Sequence, residues 1–110
     1  MNTRFSYLYR DACNYKKFND VVLSGIIQEK QIAPFLKDKL FFIPSDVGLP
    51  DLQDDTFSVD DHIWHEFEKI ELTEEPPTLE IVASLLIEKF KDASQNNWNE
   101  YAAFKRKGLL

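Results

Sequence analysis

The chain has 110 residues, 44% apolar and 14% aromatic, with one Cys, three Gly and a net charge of −6. This is one domain's worth of chain with enough Phe, Tyr and Trp to build a core unaided, which argues against a multidomain enzyme, a disulfide scaffold and a zinc site with several Cys ligands. The scarcity of Gly leaves little for a glycine-rich phosphate loop, and no apolar run approaches the roughly 18 residues of a membrane span. With no apolar signal segment near Met1 and Cys13 as the lone thiol, the chain is expected in the reducing cytoplasm.

Residues 4–10 alternate, with Phe5, Tyr7 and Tyr9 on one face and Ser6, Leu8 and Arg10 on the other, and predict a first strand. Asp11 to Lys17 carries turn chemistry, and Phe18 to Ser24 reads as the returning strand of a hairpin with a long loop. Pro34 interrupts the amphipathic stretch from Ile26 to Leu40, so a helix is expected from about Ala33, covering Phe35 to Lys39. Leu40 to Ile43 is a short apolar run expected as core strand, Gly48 the pivot of the turn after it, and residues 50–61 a long acidic loop.

Both periods fit residues 58–72. A helix would align Val59, Ile63, Phe67 and Ile70, whereas a strand would place Ile63, His65 and Phe67 on one side; the aromatic run Ile-Trp-His-Glu-Phe favours a strand over 62–71. Glu74 to Pro77 is a stiff break. Thr78 is then expected to cap a helix over 79–93, carried by Leu79, Val82, Ala83, Leu86, Phe90 and Ala93. Asn97 and Glu100 predict a capping box opening a last helix from Trp98 to about Lys107. The expected fold is a single α+β domain over 1–110: a small antiparallel sheet starting with the N-terminal hairpin, covered by C-terminal helices.

Two polar clusters stand out, Arg10 to Lys16 and Asp60 to Glu66. Tyr-Arg-Asp-Ala-x-Asn-Tyr-Lys from Tyr9, Phe-Ile-Pro-x-x-Val-Gly-Leu-Pro from Phe42 and Asp-Asp-His-x-Trp-His-Glu from Asp60 resemble words of a family of small uncharacterised bacterial proteins. The resemblance implies a bacterial cytosolic protein and brings no activity or site with it. From the residues themselves, Asp11, His62, His65 and Glu66 are the candidate acid–base groups, and Arg10, Asn14, Tyr15 and Lys16 the candidate ligand-binding groups for an anion. The competing structural reading pairs Arg10 with a carboxylate across hairpin and strand. On a regular strand His62 and His65 point to opposite faces and cannot share an ion, and the segment does not match His-Glu-x-x-His, so no metal site and no cofactor are expected.

Charge is unevenly placed. Residues 46–80 hold twelve acids against Lys69 alone, a net of −11, while the segments on either side are basic. That pattern fits no direct nucleic-acid binding and no membrane surface, and it suits a basic protein partner. Asp54, Asp55, Asp60 and Asp61 are the candidate partner-binding residues, in the manner of a small antitoxin- or immunity-like protein. The alternative class is a small ligand- or metal-dependent enzyme acting on an anionic or nucleotide-like substrate; a third is a structural subunit that forms a homodimer through an aromatic surface.

Overall fold

The computed structural model describes residues 1–53, 57 and 61–109. Strand β1 (Asn2–Arg10) and β2 (Lys16–Ser24) form the hairpin, β3 is Phe41–Phe42, and β4 is His65–Thr73. Helices α1 (Ala83–Gln95) and α2 (Glu100–Arg106) follow. The four strands make one antiparallel sheet in the order β2-β1-β4-β3, so the first strand, the most strongly alternating segment of the sequence, lies inside it.

Phe5 and Tyr7 are fully buried on the face covered by α1 and the connecting turns. Phe90 of α1 meets Phe5 and Phe42 at ring separations of 6.1 and 5.4 Å, and Phe5 meets Phe42 nearly edge-on at 86°, the tilted contacts that aromatic quadrupoles favour. Leu8 and Val22 are buried outside this cluster, on the opposite face. There Leu8 is flanked in register by Phe18 and Glu66.

The ambiguity of residues 58–72 has a structural origin. The β1–β4 register runs Phe5 to Ile70 and then Tyr7 to Phe67, a bulge that consumes one extra residue of β4. Phe67 and Ile70, three apart, thereby share the core-facing side. A helical period was written into a bulged strand.

Three expected elements differ. The helix over Phe35 to Lys39 does not form: the chain makes single 3₁₀ turns at Glu29–Gln31 and Ala33–Phe35, and Leu36 is already extended. Asp38 and Lys39 take φ of 52° and 63°, closing a tight turn in which Leu40 N–H donates to Lys37 O. This reversal is required to bring Phe41 and Phe42 back against β4. The helix expected from Leu79 begins at Ala83, because Thr78 is used elsewhere. Its hydroxyl accepts from Val22 N–H at 2.9 Å, its own N–H donates to Val22 O at 2.9 Å, and Val82 bridges Ser24. The stretch 78–82 thus shields half of the β2 edge. Finally, Asn97 and Trp98 adopt φ of 56° and 49°, so the last helix is capped by Asn99, whose Oδ1 accepts from Ala102 N–H, and not by Asn97.

Candidate functional site

The register places Tyr9 opposite His65 and Tyr7 opposite Phe67 on the core side of the sheet, at the end where residues 50–53 and 61–64 meet it. Buried phenols and imidazoles need partners, and here Tyr7, Tyr9 and His65 each find one in these two stretches. Tyr7 Oη donates to Pro50 O at 2.6 Å and accepts from Asn19 Nδ2 at 3.3 Å; burial pushes its pKa up to about 12. Tyr9 Oη donates to Asp61 Oδ1 at 2.7 Å and accepts from His62 N–H at 3.2 Å. Burial first, then the Asp61 carboxylate, raises its pKa well above the usual phenol range.

His65 is fully buried. Its Nε2 accepts from Leu52 N–H at 3.0 Å, which leaves the ring proton on Nδ1, 3.2 Å from Ile63 O. Desolvation lowers its pKa to about 4 against the opposing pull of Asp51, whose Oδ1 lies 3.5 Å from Nε2. His62 has the opposite tautomer: Nδ1 accepts from Trp64 N–H at 3.0 Å, and Nε2–H donates to Arg10 O at 2.7 Å. Both nitrogens of both rings are therefore bonded to backbone. Asp51 fixes the first end of the segment further, accepting from Gln53 N–H at 2.9 Å and Lys107 Nζ at 2.7 Å.

The two polar clusters meet at Arg10. Its Nε and Nη2 donate to the two oxygens of Glu66 at 2.8 and 3.4 Å, and Nη1 donates to Asn14 Oδ1 at 2.7 Å. The hairpin and β4 are so joined on the outer face of the sheet. Asp11 builds the hairpin loop, its Oδ1 accepting from the N–H groups of Cys13 and Tyr15, with Asn14 at φ 67°. Tyr15 and Lys16 are exposed. The arrangement brings Arg10, Asn14, His62 and Glu66 together but leaves His65 on the opposite side of the sheet from the Arg10–Glu66 pair. Asp54, Asp55 and Asp60 lie outside the described residues; Asp61 holds Tyr9.

Beside His62 is a shallow hollow of about 280 Å³ lined by Lys37, Asp38, Phe41, His62 and Trp64. Lys37 Nζ stands 4.6 Å over the Trp64 ring, and Trp64 Nε1 donates to Glu100 at 2.6 Å. Among the described residues, no three of His, Cys, Asp and Glu gather as a metal-holding group, and no helix is long and apolar enough to cross a membrane. Sequence reasoning missed Tyr7, Tyr9, Asn19 and Asp51 as members of the polar network. A signal for two of them was present, since strand alternation sends Tyr7 and Tyr9 inward and a buried hydroxyl must be paid with a hydrogen bond.

No family model, curated protein or solved structure matches the chain. The resemblance noted above therefore rests on its three words alone. In the fold these words adjoin: Arg10 from the first bonds His62 and Glu66 from the third, and Phe42 from the second stacks at 6.4 Å from His65.

Proposed function

We propose that the chain is a bacterial cytosolic recognition protein with no chemical step of its own, presenting the acidic segment 51–61 to a basic macromolecular partner. The observation that carries this reading is the anchoring of that segment at both ends by buried side chains: Tyr7 and His65 hold Pro50 and Leu52, and Tyr9 holds Asp61 and His62. Buried polar groups cost stability unless bonded, and these are bonded to the ends of one loop rather than left facing a cleft. A loop fixed at both ends to a rigid sheet is the usual carrier of binding. Asp51, Asp54, Asp55, Asp60 and Asp61 fall within it, and it contains no Lys or Arg. Such a patch speeds encounter with an oppositely charged surface.

The same bonds weigh against the enzyme reading. An imidazole with both nitrogens committed to backbone must break one bond before it takes a proton or a metal ion, and Arg10 and Glu66 satisfy each other. The test reverses Asp54, Asp55 and Asp60 to Lys and keeps Asp61, which anchors the loop to Tyr9, with circular dichroism to verify the fold. Association with the partner retained by the native chain is then followed by stopped flow. The native rate is expected to fall as salt rises and the reversed chain to associate about ten-fold more slowly at low salt. An unchanged rate at low salt withdraws the acidic segment from the proposal.

A further inference from the structure

Backbone groups of an antiparallel strand point alternately toward each neighbour, and β2 has only one neighbouring strand. Val22 offers both its N–H and C=O outward, where Thr78 takes them, and Ser24 bridges outward to Val82. The β1–β2 register is unbroken from Arg10–Lys16 to Asn2–Ser24, so Lys16, Phe18 and Asp20 point their N–H and C=O groups outward as well. Nothing among the described residues bonds those groups. On the opposite side of the sheet β3 has two residues, whose Phe41 exchanges both backbone bonds with Lys37, and it covers β4 only at His65 and Glu66, so β4 from Glu68 to Thr73 has β1 as its one neighbouring strand. Residues 16–20, between the hairpin turn and Thr78, are thus a long open edge, and the charges they carry set them apart from the uncovered part of β4.

Open edges are commonly blunted by charge. This one carries Lys16-Lys17-Phe18-Asn19-Asp20, with opposite charges two residues to either side of an aromatic that is 63% exposed. Antiparallel pairing of this window with itself, centred on Phe18, sets Lys16 opposite Asp20 of the second copy and Asp20 opposite its Lys16, all on the outer face. It also matches the alternation, since residues 16, 18 and 20 then face residues 20, 18 and 16 and every outward N–H meets a C=O. The apolar row Leu8–Phe18 continues across the junction into the same row of the other copy. Cross-strand aromatic pairs and opposite charges stabilise such a ladder, and like charges destabilise it.

We infer that two copies of this chain join edge to edge through residues 16–20 of β2, in the register that sets Phe18 against Phe18, to form a continuous eight-stranded sheet. The inference is independent of the acidic segment and of any third partner. A five-residue edge is a small interface, so the dimer is expected at roughly 10–100 µM chain.

Sedimentation equilibrium across that range tests it. Lys16→Asp and Asp20→Lys each place like charges opposite one another twice, and each is expected to raise the dimer dissociation constant at least about ten-fold, although they move net charge in opposite directions. The double variant Lys16→Asp/Asp20→Lys restores complementarity and is expected to recover the native constant. Register is read by mild oxidation in a Cys13→Ser background. Phe18→Cys places the two sulfur-bearing residues about 5.5 Å apart between Cα atoms, within disulfide reach. Lys16→Cys leaves its two copies more than about 13 Å apart and should not cross-link. A native chain that stays monomeric to about 1 mM overturns the inference. So does a dimer indifferent to the single reversals, a double variant that does not recover, or cross-linking of Lys16→Cys ahead of Phe18→Cys.

Discussion

At the scale of single residues, His65 has the sharpest consequence. Its ring is neutral because burial disfavours the imidazolium, and that neutral ring supports Leu52 N–H. The folded pKa is about 4 against an ordinary value of 6.5. Between these values the unfolded chain binds a proton that the folded chain refuses, so stability is complete above pH 6.5 and is lost as the pH falls through 4. The shift corresponds to about 3 kcal/mol at full protonation. Urea midpoints at pH 7 and pH 4.5 are expected to show a loss larger in the native chain than in His65→Gln. The Gln amide oxygen can accept from Leu52 without titrating. Equal acid losses in the two proteins would show that carboxylates alone carry the transition. Tyr7 gives the alkaline counterpart: with its pKa raised to about 12, its contribution is present below pH 10 and lost as pH rises through 12.

At the scale of elements, what was legible was what repeats or runs on in one kind of residue. The first strand of the hairpin and the α1 stripe of Ala83, Leu86, Phe90 and Ala93 were written as periods, while the short strand and most of 62–71 were legible as apolar and aromatic runs. Boundaries were hidden wherever a side chain serves a distant strand in place of its own helix. Thr78 looks like a cap and ties the β2 edge; Glu100 looks like half of a capping box and takes the indole of Trp64. Neither use is written locally. Thr78→Val keeps the shape and removes the acceptor from Val22 N–H; it is expected to cost about 1 kcal/mol. Hydrogen exchange should accelerate at Val22 more than in α1, and uniform acceleration would mean that the Thr78 bond does not protect the edge locally. Phe90→Ala, which empties the centre of the aromatic cluster, is expected to cost about 3–5 kcal/mol in chemical denaturation. A cost below 1 kcal/mol would place the core elsewhere.

At the scale of the whole molecule, the charge blocks read from the sequence fold onto one another. Arg4 reaches Glu75, Arg10 reaches Glu66, Arg106 reaches Asp46 and Lys107 reaches Asp51, so bases from both chain ends cover acids of the middle. Summation along the chain could give the imbalance but not this pairing, which depends on the sheet order and on the docking of α2. Partly exposed pairs of this kind are individually modest, and cohesion falls to the aromatic cluster between sheet and α1. With both nitrogens of His62 and His65 bonded to backbone, folding is expected to need no metal. Thermal melts with and without a strong chelator should superimpose, and one equivalent of zinc should leave the midpoint where it was. A chelator-induced fall reversed by zinc would mean that these rings exchange Arg10, Trp64, Leu52 and Ile63 for an ion, and that the anchoring of segment 50–64 is metal chemistry. The two outcomes also differ in acid: a metal-held segment would release with loss of bound zinc, whereas the hydrogen-bonded one loosens as His65 takes up a proton and releases no ion.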